Sequence, residues 1–239
     1  MTGLRYVYAV CRPFRAALQA ELTGVAGAPV GLLNHHGLVA VVSAVPKQDF
    51  AEEPLRAHLE DLDWLAATAR AHQGVVDALT AVTTPLPLRM ATVFRDDSGL
   101  RVMMEAREAE FARALERLDG RVEWGVKVHV EAQSADRAHE ELWQRAEEFA
   151  TRLHEMLSRY AEDSRLHAPQ NSALSDASGR NVLNASYLVP RADSEEFVEL
   201  VDGTKDDAPG MRVELAGPWA AYSFAGEEGA EGTEGEGKE

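Results

Sequence analysis

The sequence predicts an α+β chain of two domains. An N-terminal ferredoxin-like α/β sandwich occupies residues 1–120, a C-terminal α/β domain with a long helix occupies 121–226, and an acidic tail follows over 227–239. Three observations carry this. The N-terminal half reads strand, helix, two strands, helix, strand, the order of a ferredoxin-like sandwich. Over residues 122–131, Val126, Val128 and Val130 alternate with Lys127, His129 and Glu131, the period of a strand with one apolar and one wet face. From Ser134 an unbroken helical pattern can run to about residue 165. The alternating strand closes the first half and opens the second, so the boundary falls there.

Each element has a local reason. Residues 5–11 (Arg-Tyr-Val-Tyr-Ala-Val-Cys) are aromatic and β-branched, as in a strand buried on both faces. Pro13 suits the first turn of a short helix carrying Phe14, Ala17, Leu18 and Leu22, with Gly24 beyond its end. Apolar runs at 29–33 and 38–45, separated by Asn34, His35, His36 and Gly37, read as a hairpin. Leu62, Leu65, Ala69, His72, Val76 and Leu79 line one face of a helix over 59–79, which Pro85 and Pro87 stop. Residues 88–94 read as a strand, and 95–99 as a turn. A second helical stretch over 100–120 puts Met104, Phe111, Leu115 and Leu118 on one side, with Gly120 past its end.

In the second half, Ser134 suits the N-cap of the long helix. Leu142, Phe149, Leu153, Met156 and Tyr160 share its face, and Glu141/Arg145, Glu148/Arg152 and Glu155/Arg159 are spaced for ion pairs. Such a helix should project beyond a small sheet. Residues 167–180 have no periodicity and read as a mobile loop. A strand over 181–190 follows, then a helix with Asp193 and Glu196 placed as a capping box and Gly203 at its end. The last strand, 211–215, runs into the most aromatic passage, residues 217–224.

Composition excludes several functions. The net charge of −16, from 40 acidic and 24 basic residues, works against nucleic acid and against anionic membrane surfaces. No apolar run approaches the roughly 20 residues of a membrane span, and the N-terminus lacks a signal-peptide pattern. A cytoplasmic protein is expected. The single cysteine, Cys11, allows no intrachain disulfide. The glutamate- and glycine-rich tail has nothing to nucleate a core and reads as disordered.

No motif announces catalysis, a cofactor or a metal. His35 and His36 are neighbours whose side chains should point apart. His72, on an apolar helix face, reads as a core histidine satisfied by one hydrogen bond. Cys11 reads as buried and inert despite its neighbour Arg12. Ser43, Ser98 and Ser223 lack a nucleophile elbow, and no phosphate-cradling glycine loop is present. Trp219, Tyr222 and Phe224, with Pro218, suit either an aromatic contact surface for a partner or the packing of the last strand onto its domain. Only 7% of the residues are aromatic, which favours packing.

Seven blocks then resemble one family in order along the chain. They are Arg5-Tyr-Val-Tyr-Ala-Val, Gly37-Leu-Val-Ala-Val-Val-Ser-Ala-Val-Pro, Ala71-His-Gln-Gly-Val-Val, Pro87-Leu-Arg-Met-Ala-Thr-Val-Phe, Glu123-Trp-Gly-Val-Lys-Val, Asn184-Ala-Ser-Tyr-Leu-Val-Pro and Gly217-Pro-Trp-Ala-Ala-Tyr-Ser-Phe. Together they resemble the GvpL/GvpF family of gas vesicle proteins. The family commonly has Phe-Gly at Met90-Ala91 and Pro-Pro at Ala220-Ala221. The resemblance implies a minor cytoplasmic gas vesicle component, an assembly accessory protein that is not an enzyme and carries no cofactor. It would bind the small hydrophobic shell protein GvpA or other accessory proteins and act in a chaperone-like way, limiting shell-subunit aggregation during nucleation. Two readings from other classes rank below it. A ferredoxin-like small-molecule-binding or regulatory module would need a polar pocket. An enzyme would need His35, His36 and His72 to converge.

Overall fold

The computed structural model describes residues 3–15, 22–130, 137–168, 180–207 and 209–226. The helix expected after Pro13 falls partly outside them. So do the Ser134 cap, most of the 167–180 loop and the whole 227–239 tail. The chain forms two compact units: Met1–Asp119 together with Ala220–Glu239, and Gly120–Trp219 between them.

In the first unit, β1 (Leu4–Cys11) lies inside an antiparallel sheet, and its last six residues are buried. β3 (Leu38–Val45) pairs along one side of it and β2 (Val30–His35) pairs outside β3. The β2–β3 hairpin turns on His36 and Gly37, at φ 47° and 74°. That left-handed pair matches the strand twist, and glycine adopts it without a Cβ clash.

Along the other side of β1 lie β4 (Leu86–Pro87) and β5 (Val93–Phe94). The single strand expected over 88–94 is thus two fragments. Between them Ala91 takes φ 64° and gives its N–H to the buried Tyr6 hydroxyl, so the chain leaves the ladder to satisfy a core phenol.

Among the described residues five α-helices complete the unit: α1 (Lys47–Phe50), α2 (Glu52–His58), α3 (Leu62–Thr80), α4 (Asp97–Ala106) and α5 (Glu108–Leu118). Asp61 caps α3 by accepting from the Asp63 and Trp64 N–H groups. The buried stripe of α3 is Thr68, His72, Val75, Val76 and Leu79, whereas Leu62 is 77% exposed. The stripe meets Tyr6, Tyr8, Val41 and Val45, and the core beneath it is one cluster.

The opposite face of the sheet is buried too, at Val10, Ala40 and Val42. The helix expected over 100–120 is broken at Arg107 (φ −112°, ψ 14°) into α4 and α5, whose buried side chains are Leu100, Met104, Phe111, Leu115 and Leu118. Residues 97–99, expected in a turn, already belong to α4, because Asp96 accepts the Gly99 N–H at 2.9 Å and caps it.

The second unit has the order β6 (Arg121–Val130), α6 (Arg137–Tyr160), β7 (Asp163–Leu166), β8 (Arg180–Pro190), α7 (Ser194–Asp202) and β9 (Met211–Trp219). Its antiparallel sheet runs β7-β8-β6-β9, and that of the first unit runs β2-β3-β1-β4. In both, the strand that enters first is flanked by the third and the fourth.

Alternate side chains of β6 and β8 (Val122, Trp124, Val126, Val128; Leu183, Ala185, Tyr187, Val189) meet Phe149, Ala150, Leu153 and Leu157 of α6, and Phe197 and Val201 of α7. β6 is a strand as its alternation demands, but its wet face is not open throughout: Glu123 and His129 are 6% and 3% exposed.

α6 stops at Tyr160 rather than near 165. Residues 163–166 (Asp-Ser-Arg-Leu) instead pair with β8, a strand with no apolar alternation to announce it. The capping box expected at Asp193 is not formed, since Asp193 makes no side-chain cap and the Glu196 carboxylate accepts the Tyr160 hydroxyl at 2.9 Å.

Beyond Trp219 the chain returns to the first unit. Ala220, Ala221 and Phe224 are buried, Ala220 and Tyr222 pack in the α3-side cluster, and Arg117 donates to the Phe224 and Gly226 carbonyls. The second unit therefore ends at Trp219, not at 226, because burying this aromatic segment completes the first core.

Candidate functional site

Two polar arrangements and one aromatic segment stand out. In the first unit, Tyr6 Oη accepts the Ala91 N–H at 3.1 Å and lies 3.0 Å from His72 Nδ1, so its own proton is available to the imidazole. Tyr8 Oη accepts the Val25 N–H at 2.8 Å and donates to Ser43 Oγ at 2.9 Å, and Ser43 donates to the Pro29 carbonyl. Gly24 makes this possible, since a Cβ there would lie 2.0 Å from Tyr8 Oη.

Burial pushes the Tyr6 phenol up to about 12 and the Cys11 thiol up to about 12. It pushes His72 down to about 4, partly opposed by the Leu88 backbone carbonyl. All three groups are held neutral in the core, where they join strands and helix without offering a nucleophile or a charged base. His72 takes its hydrogen bond from the core, as its place on α3 predicts.

His35 and His36 do not point apart. The positive φ of His36 brings the rings to 4.3 Å between centroids, and His36 Nδ1 lies 3.0 Å from Glu108 Oε2. His72 is held by Tyr6, with the rings of Tyr6, Tyr8 and Tyr222 around it. Among the described residues no group of three or more His, Cys, Asp or Glu side chains is placed to hold a metal ion, and no helix is long and apolar enough to cross a membrane.

In the second unit, the sheet face away from α6 and α7 carries a run of polar side chains beside Leu188 and Trp219. Ser186 donates to Glu123 Oε1 at 2.7 Å, and His167 Nε2 lies 2.9 Å from Ser186 Oγ. The serine sits between carboxylate and imidazole. A catalytic triad needs the imidazole in the middle, so that it can take the serine proton. Here the proton already serves the carboxylate, and the chain of bonds ties β6, β8 and the end of β7 together.

The aromatic segment divides between the units. Trp219, 39% exposed, ends β9 opposite Glu123, and its ring lies over Gly125, where a Cβ would approach Cζ3 to 3.3 Å. Tyr222 is half-buried with its ring 6.3 Å from that of His72, and Phe224 is fully buried. Of the three aromatic contact candidates, Trp219 alone keeps a large accessible face. Phe224 is core, and the run of residues 217–224 by itself could not distinguish them.

Residues 4–138 and 130–226 match the family described as gas vesicle synthesis protein GvpL/GvpF. Gas vesicle protein L of Streptomyces sp. (strain CB03234) is 54% identical, over 93% of this chain and 93% of its own length. Gas vesicle protein F of the same strain is 25% identical, over 92% of this chain and 98% of its own. The crystal structure of the gas vesicle protein GvpF from Anabaena sp. PCC7120 has the same fold, with a TM-score of 0.74 at 18% identity, over 94% of this chain and 96% of that one.

Proposed function

This chain belongs to the GvpL/GvpF family of gas vesicle synthesis proteins, and from that premise we propose that it is an assembly accessory protein that binds the shell protein GvpA, other accessory proteins, or both. Family membership places it in gas vesicle formation and not among enzymes. In this reading it works in the cytoplasm and at the growing vesicle, holding hydrophobic shell subunits apart while the wall nucleates. The observation that carries the reading is the family match, which runs through both units from residue 4 to residue 226.

Physical chemistry supports it. A protein of net charge −16 lends solubility to an apolar partner, and hiding the partner's strand edges suppresses sheet-to-sheet aggregation. We read the first unit as ferredoxin-like, on its strand order, and the chain as L-type, on its greater identity to protein L than to protein F of one strain. Trp219 is the aromatic residue best placed to touch a partner.

The experiment is co-purification of the tagged full chain with the shell subunit, alongside light scattering of the shell subunit with and without it. Retention together with suppressed scattering is the expected result. Recovery of other accessory proteins without the shell subunit would replace direct shell binding by a scaffold role.

A further inference from the structure

A surface helix ordinarily turns charged and polar side chains to water. α6 does so: every exposed residue described over 141–160 is Glu, Arg, Gln or Thr. α3 does not. Of its eight exposed residues, five are Leu62, Ala66, Ala67, Ala69 and Gly74, and Leu62 is 77% exposed. Leu59, in the turn that leads into α3, adds a second exposed leucine. Gly74 has no reason within the chain, since a Cβ there would meet nothing within 4 Å. Glycine in a helix interior costs stability relative to alanine, so a close contact from outside explains what internal packing does not.

The charges on this face have a register. Successive helical residues turn by about 100°, which puts Asp63, Arg70, Gly74 and Asp77 on the line opposite the buried stripe, with Ala66 and Ala67 to either side of it. Asp77 already accepts the Gln73 amide at 2.8 Å. Asp63 and Arg70 have no ion-pair partner among the described residues, and two turns, about 10.5 Å, separate them. On one helix they cannot satisfy each other. On two they can: antiparallel copies of α3, related by a twofold axis between Ala66 and Ala67, set each Asp63 against the other copy's Arg70. The same axis turns Leu59 of one copy towards Gly74 of the other, large against small.

We propose that the outer face of α3 is a self-association surface, on which a second copy of this chain docks its own α3 antiparallel about that axis. Leu59 and Leu62 supply apolar area. The alanines and Gly74 let the two helix axes approach to the close end of the roughly 8–10 Å range, and the two Asp63–Arg70 pairs fix direction and register. A chain of net charge −16 repels its own copy over most of its surface, whereas this face carries a charge pattern that is its own complement. One helix pair covers less than the roughly 800 Å² per partner of a standard interface, so the dimer is weak and concentration-dependent. Self-association of this kind is independent of shell binding.

Sedimentation equilibrium of the full chain over a concentration series reads the association, and a monomer–dimer equilibrium is expected. Asp63→Arg and Arg70→Asp should each weaken it roughly tenfold or more, because each sets like charges against one another twice across the axis. The double exchange should restore it. Both side chains are exposed, and circular dichroism checks that each variant is folded. Ala66→Cys, beside the axis, should cross-link to its own copy on mild oxidation, and Ala81→Cys should not; the native Cys11 is fully buried.

A chain that stays monomeric at every concentration overturns the proposal. So does a dimer that neither single exchange weakens, or one that the double exchange fails to restore, since its interface then lies elsewhere or in another register. A monomeric parent whose retention of the shell subunit is abolished by Arg70→Asp would give this face to that subunit instead of to a second copy.

Discussion

His72 faces the sheet from α3, bonded to Tyr6 and buried, and its environment holds it neutral, with a pKa moved from 6.5 to about 4. In the unfolded chain the same imidazole takes a proton near its ordinary value. Between those two values the unfolded state binds more protons than the folded one, so stability present at neutral pH is lost as pH falls from 6.5 towards 4. The loss is on the order of 3 kcal/mol from this residue. His72→Gln should flatten the pH dependence in that window, measured as urea midpoints at pH 7, 5.5 and 4.5. Equal slopes in parent and variant would contradict the assignment. His129 and His154 are also pushed down by burial and contribute equally to both proteins. The position of His72 on an apolar helical face was legible from spacing alone. Its partner Tyr6, 66 residues away, was not, because no local pattern records which strand residue a helix will cover.

At the scale of elements, the departures from the sequence reading share one cause: tertiary contacts override local periodicity. The strand over 88–94 divides because the Tyr6 phenol needs the Ala91 N–H. The 100–120 helix breaks at Arg107, so its two halves bury separate stripes. β7 exists because β8 offers it a partner, with nothing in Asp-Ser-Arg-Leu to require it. The returning segment is the clearest case. Its aromatic content was plain, but burial of Phe224 depends on a core built from residues more than a hundred positions earlier. Phe224→Ala should therefore lower the stability of the full chain by about 3–5 kcal/mol, and Phe224→Leu by about 1 kcal/mol. Denaturant midpoints at constant slope measure both, and a loss from Phe224→Ala no larger than that from Phe224→Leu would remove the segment from the core.

At the scale of the molecule, the second unit is an insertion between Asp119 and Ala220. Its sheet, two helices and apolar cluster lie wholly within residues 120–219, so that fragment should fold alone. The fragment 1–119 lacks Ala220, Tyr222 and Phe224 and should melt without cooperativity until residues 220–226 are fused to it through a short linker. Calorimetry and amide dispersion in NMR spectra of the three fragments decide this. A sharp transition of 1–119 alone, at the temperature of the fused version, would make the returning segment dispensable.

By itself the sequence determined the α+β class, the hairpin at His36-Gly37, the strand of valines at 126, 128 and 130, and the family. These rest on periodicity, turn chemistry and ordered blocks, all of which are local in the chain. Only the tertiary structure decided which aromatic residue stays exposed and which closes a core, and where the second unit ends. Those outcomes depend on burial and on pairing between distant segments.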